Sequence, residues 1–243
     1  MTGKWMTVAL GGVVAALALS ACSGSADASQ EQVTSTPSTA ASEQPADAAP
    51  TPEAGKVTVE GVGAVTDQYG MVAVYATVVN PTTDKVLASV SFAGYDAAGT
   101  VLGTTSSSAP IVAAGDKQQV VTYLSVPDGA QVASTTAQVE IIDSSKDEHP
   151  TSRLTPAQVT VQSDDYSIKV TGTLDSAFDQ SFTNPGLNAV CTDAAGAVVA
   201  AGFTFGDGTV VPGQPYPYSI SLTGAAPATC VVTAGVTNLS EAS

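Results

Sequence analysis

From Lys56 onward the chain consists of short runs in which apolar residues recur at every second position, and no other feature constrains its fold as much. Val72, Val74, Ala76 and Val78 share one parity, with Tyr75 and Thr77 on the other. Val86, Ala88, Val90 and Phe92 repeat the pattern, as do Val120, Thr122, Leu124 and Val126, and Val139 and Ile141 continue it. Successive side chains of a strand point to opposite faces, so each run predicts a strand with one buried face. Turn chemistry separates the runs at Asn80-Pro81, Asp96-Ala97-Ala98-Gly99, Ala114-Gly115 and Asp128-Gly129. No stretch after residue 22 carries a helical period. Together these signals predict an all-β chain of sandwich type. The hydrophobic fraction is 44% but aromatics are only 5%. Thin interiors of Val and Ala fit that composition.

The organisation repeats. Asp96-Ala97-Ala98-Gly99-Thr100-Val101 is echoed 97 positions later by Asp193-Ala194-Ala195-Gly196-Ala197-Val198, and Gly115 is echoed by Gly213. Two matches at nearly one offset, in the same strand context, predict a duplicated unit. The expected boundaries are a first β-sandwich over 57–142, a polar linker over 143–156 and a second sandwich over 157–243.

Ahead of these units lie two segments of different character. Lys4 is followed by an unbroken apolar and glycine run from Val8 to Leu19, then by Leu19-Ser20-Ala21-Cys22. As a helix that run spans roughly 18 Å, short of the about 30 Å of a bilayer core. Residues 1–21 resemble a bacterial lipoprotein signal peptide, and Leu19-Ser20-Ala21-Cys22 resembles its lipobox. The resemblance implies cleavage after Ala21, a diacylglycerol thioether on Cys22, and a protein held on the outer face of the cell membrane. Residues 22–56 are rich in Ser, Thr, Ala and Pro and hold almost nothing to bury, so a disordered tether is expected.

Cys191 and Cys230 remain after Cys22. An even remainder in an exported chain predicts a disulfide between them. The competing reading, a pair of metal or redox thiols, has no histidine nearby to complete a site.

Phe92-Ala93-Gly94-Tyr95-Asp96, with Asn80-Pro81 before it and Ala114-Gly115 after it, resembles the signature of FxLYD-type domains. These are small immunoglobulin-like β-sandwiches of microbial envelope proteins. In this chain Gly94 stands where that signature has leucine. The second unit, with Asn188-Ala189-Val190-Cys191-Thr192-Asp193, lacks both the Phe and the Tyr. Cys191 lies near the position of Gly94, so a disulfide there would stand in for lost aromatic packing. The resemblance implies two tandem immunoglobulin-like domains, the second degenerate, and an envelope setting. It carries over no catalytic residue.

Catalytic chemistry has little to draw on. His149, the one histidine, sits beside Pro150 in the expected linker. No nucleophile elbow, zinc-binding His pair or phosphate-binding glycine loop is present. Asp164-Asp165 and Asp175 with Asp179 are the carboxylate pairs in which acid–base work is conceivable, and they read as solvated loop residues. Asp143, Asp147 and Glu148 form an acidic group of the kind that offers oxygens to calcium, but Lys146 and Arg153 partly neutralise it, and no metal or cofactor is expected. A net charge of −15 argues against nucleic-acid partners, which require clustered Lys and Arg. Tyr216 and Tyr218 are the candidate ligand-binding residues, whereas Phe203 and Phe205 read as core.

The expected function is therefore that of a lipid-anchored, non-enzymatic interaction or adaptor module of the cell envelope. Its partners would be the membrane, through Cys22, and another envelope protein. The alternative is recognition of a small ligand or cell-wall glycan in a cleft between the two units.

Overall fold

Alternating β-branched and small residues favour extended backbone, and each run identified above becomes a strand. The computed structural model describes residues 55–148, 153–164 and 166–238. Residues 1–21, read above as a signal peptide, together with Cys22, nearly all of the expected tether, His149 and Asp165, lie outside the described residues. Every regular element described is a strand.

In the first half these are β1 (Thr58–Thr66), β2 (Val72–Val79), β3 (Asp84–Tyr95), β4 (Val101–Ser108), β5 (Lys117–Leu124) and β6 (Ser134–Lys146). They form two antiparallel three-stranded sheets, β1-β2-β5 and β4-β3-β6. The second half has β7 (Leu154–Ser163), β8 (Ile168–Ser176), β9 (Phe182–Thr183), β10 (Gly186–Thr192), β11 (Val198–Phe205), β12 (Thr209–Val210), β13 (Tyr216–Gly224) and β14 (Thr229–Gly235). Its main sheet runs β14-β10-β11-β13-β8-β7, and β9 pairs with β12. β11 and β13 meet only at Ala200↔Gly224 and Ala201↔Thr223. Without that corner the sheet divides into β7-β8-β13 and β11-β10-β14, the arrangement of the first half. The corner requires glycine. Gly224 has φ +126°, and a Cβ there would stand 2.1 Å from the Val199 carbonyl oxygen.

The correspondence between the halves extends to the irregularities. Asp96 Oδ1 accepts from the Ala98 and Thr100 amides, and Asp193 Oδ1 from those of Ala195 and Ala197, at 2.8 to 3.0 Å. Gly99 and Gly196 close these turns at φ +81° and +87°. The ladder slips after Gly94 in β3–β4 and after Cys191 in β10–β11. It slips again around Gly61 in β1–β2 and Gln158 in β7–β8, both at positive φ. Register shifts therefore fall at matching positions in the two halves.

Two apolar interiors result. Val72, Val74, Ala76, Val78, Val86, Ala88, Val90, Phe92, Val120 and Leu124 make the first, as their parity predicts. Val170, Leu174, Leu187, Ala189, Ala200, Tyr218 and Ile220 belong to the second. A third cluster of Val65, Ala73, Val121 and Ala201 joins the halves, and all described residues fall within one compact unit. The expected linker over 143–156 is correspondingly shorter. β6 runs on to Lys146, and β7 begins at Leu154. Val139 packs inward as predicted, but Ile141 is 47% exposed, where the β3–β6 ladder slips.

β5 explains the union of the halves. It is an edge strand, and an unpaired edge is normally capped or charged. Here its free amides are taken up by side chains of the second half. The Val121 amide donates to Asn188 Oδ1 at 2.9 Å and the Gln119 amide to Thr233 Oγ1 at 3.1 Å. Gln118 Nε2 donates to the Ala234 carbonyl at 2.8 Å, and the Ile111 amide donates to that of Val236 at 2.8 Å. Val120 therefore faces one interior while Val121 faces the junction.

Candidate functional site

Cys191 and Cys230 form a disulfide. They are register partners on adjacent strands β10 and β14, so the bond lies within one sheet rather than between the sheets as in antibody domains. Cys191 is fully buried in the second interior. Among the described residues no group of three or more His, Cys, Asp or Glu could hold a metal ion. Asp147 of the acidic group instead accepts the Ala114 amide at 3.1 Å.

The two tyrosines singled out from sequence are engaged by the protein's own residues. Tyr218 alternates inward with Ile220 as predicted and is only 7% exposed. Its ring passes over Gly172, where a Cβ would come within 2.6 Å of the hydroxyl oxygen. The Tyr218 hydroxyl has no hydrogen-bond partner among the described residues. Burial raises its pKa, as it does that of Tyr75. Tyr218→Phe removes an unpaired buried polar atom, so it should stabilise the fold by about 0.5–1 kcal/mol in urea unfolding. A loss of stability would show that the hydroxyl is bonded after all. Tyr216 packs at the edge of the same interior, and its hydroxyl accepts the Gly208 amide at 3.1 Å. It anchors the Gly206-Asp207-Gly208 turn.

The carboxylate candidates are equally local. Asp175 and Asp179 are exposed. Asp164 is held below the ordinary aspartate value by the Tyr166 amide above all, then by the Ser167 hydroxyl and amide, with the Lys169 charge adding. A depressed folded pKa means that this turn stabilises the fold above the usual aspartate range and loses that contribution as pH falls through the folded value. The Tyr166 amide resonance, followed by NMR, should report a midpoint below 3.8.

Aromatic surface is found elsewhere. In β11, Ala200 faces the second interior while Ala201 and Phe203 face the junction, so the parity is the reverse of the one that would make the phenylalanines core. Phe205 is 56% exposed and Tyr123 40%. Tyr123 and Phe203 have ring centroids 5.4 Å apart, and Phe203 meets Phe205 edge-on at 6.3 Å. Phe203 and Phe205 line a groove of about 340 Å³ between the halves, with Pro110, Val121 and Asn188 on its other walls. Tyr123 extends this aromatic row beside the groove. A stripe assembled from β5 and β11 has no contiguous sequence signature. The one local signal is Phe203-Thr204-Phe205 opposite Ala200 and Gly202, small residues that take the inward face. No protein-family model matches this chain, and no curated protein matches it either.

Proposed function

We propose that the protein is a lipid-anchored, non-enzymatic interaction module of the cell envelope. Residues 1–21 serve as its lipoprotein signal peptide, Cys22 carries the lipid, and the segment up to residue 56 spaces an immunoglobulin-like β-sandwich body from the membrane. The FxLYD-like run at Phe92–Asp96 agrees with an envelope setting. The observation that carries the interaction reading is the row of Tyr123, Phe203 and Phe205. In a chain with so few aromatics, a row of three rings in which Phe203 touches both Tyr123 and Phe205, the two outer rings substantially exposed, forms the kind of anchor that protein interfaces use. The occupant is an extracytoplasmic protein segment with apolar side chains.

A photo-crosslinking amino acid at position 205, activated on intact cells at native expression, is expected to give one discrete protein adduct. That adduct should fade when Tyr123 and Phe203 are changed to serine. Absence of an adduct, or one indifferent to the serine variant, overturns the docking role. The anchor is tested separately: lipid-precursor labelling should disappear in Cys22→Ala, and persistent labelling removes lipid attachment at Cys22.

A further inference from the structure

A second groove between the halves differs in chemistry from the aromatic stripe. It is lined by the β1–β2 turn, the β7–β8 turn and the segment ending β13, and encloses about 340 Å³. The two turns are copies. Asp67 and Asp164, and likewise Tyr69 and Tyr166, stand 97 positions apart. Asp67 Oδ1 accepts from the Tyr69 and Met71 amides, both at 2.9 Å. Asp164 Oδ1 accepts from the Tyr166 amide at 2.9 Å and the Ser167 amide at 2.8 Å. Each turn therefore fixes the backbone that carries its tyrosine, yet the rings are 72% and 85% exposed. Neither ring contributes to an interior. Two large exposed aromatics on braced turns, at one groove, are preorganised for contact because little backbone freedom remains to be lost on binding.

We propose that this groove binds a short neutral oligosaccharide. Tyr69 and Tyr166 offer ring faces to the apolar C–H faces of pyranose units. Thr66, Gln68 and Ser163, which line the groove together with the apolar Leu222, supply hydroxyl and amide partners for the sugar hydroxyls. Anionic ligands are disfavoured by the two aspartates and by the net charge of −15. The aspartates themselves are engaged by turn amides. The volume lies near the lower end of the about 300–1,000 Å³ typical of small-ligand sites, which suits one or two sugar units. The polar walls set this groove apart from the row of Tyr123, Phe203 and Phe205, and the inference does not rest on the protein-docking role proposed for that row.

The test is titration of the full-length chain with N-acetylchitotriose, cellotetraose and maltotetraose, followed by saturation-transfer NMR and calorimetry. At least one is expected to bind. The Tyr69→Ala/Tyr166→Ala variant should weaken that binding by at least about tenfold, the size of an aromatic hot-spot loss. The corresponding double phenylalanine variant should retain it within about threefold, since the stacking face survives. Phe205→Ser should leave it unchanged, which separates this site from the docking stripe. Both tyrosine variants should unfold at the wild-type midpoint, because the rings pack against no interior. Failure of all three sugars to bind, equal binding by the double alanine variant, or displacement of the sugar by choline, which would mark a cation site, each overturns the proposal.

Discussion

Asn80→Ala is expected to destabilise the fold by about 4 kcal/mol, close to the largest effect a single substitution produces. The Asn80 side chain is fully buried, and all of its polar capacity is used. Nδ2 donates to the carbonyls of Asp84 at 2.8 Å and of Val112 and Ala113, both at 3.0 Å. Oδ1 accepts the Thr82 amide at 3.1 Å and its hydroxyl at 2.7 Å. Alanine would strand several of these groups away from water. The damage would also spread, because the segment held by Asn80 leads into β5, whose edge docks the second half. Asn80→Asp should fare no better, since it sets a carboxylate against three carbonyl oxygens. Equilibrium urea unfolding measures both variants. A loss below about 1 kcal/mol for Asn80→Ala would show that solvent replaces these bonds with ease.

Joint replacement of Cys191 and Cys230 by alanine is expected to cost about as much. Their sequence separation of 39 gives a loop-closure contribution of about 4 kcal/mol. The second interior has reason to depend on it. Its β10–β11 ladder slips beside Cys191, and β13 joins β11 through only two residue pairs. The bond ties β10 to β14 at the same end of the sheet. Unfolding of the oxidised wild type against the double alanine variant measures the difference. A shift under about 1 kcal/mol would mean that the reduced unfolded chain is already compact.

Much of this architecture was legible in the residues. The parity of Val72 to Val78 and of Val86 to Phe92 placed the first interior correctly, because an alternating run with one polar face has only one way to bury itself. The echo of Asp96–Val101 in Asp193–Val198 predicted a repeated unit, since Asp and Gly at those spacings close the same turn wherever they occur. Cys191 and Cys230 pair as counted. The site was less accessible. Of the two phenylalanines read as core, Phe203 packs against the junction cluster while Phe205 is exposed, because β11 carries apolar residues on both faces and alternation alone does not say which face is inside. Tyr216 and Tyr218 stand out in sequence as aromatics at a strand start. Tyr218 passes over Gly172 on another strand, and Tyr216 bonds Gly208 of the turn eight residues before it, contacts that neither tyrosine announces in sequence. Tyr69 and Tyr166 carry no sequence signal of their own, because each is a lone tyrosine in a turn and gains meaning only beside its counterpart.

What the chain determines by itself is therefore local: the period of two, the turns, their recurrence in the second half and the pairing of its last two cysteines. These follow from backbone stereochemistry and side-chain polarity within a few residues. How the halves join was decided only in three dimensions. The free amides of β5 needed acceptors, Asn188 and Thr233 supplied them, and the apolar contact of Val65, Ala73, Val121 and Ala201 closed the junction. An edge strand's unsatisfied hydrogen bonds carry no record in sequence of the partner that will meet them. For that reason both grooves, which exist only because the halves are joined, emerge from the tertiary structure alone.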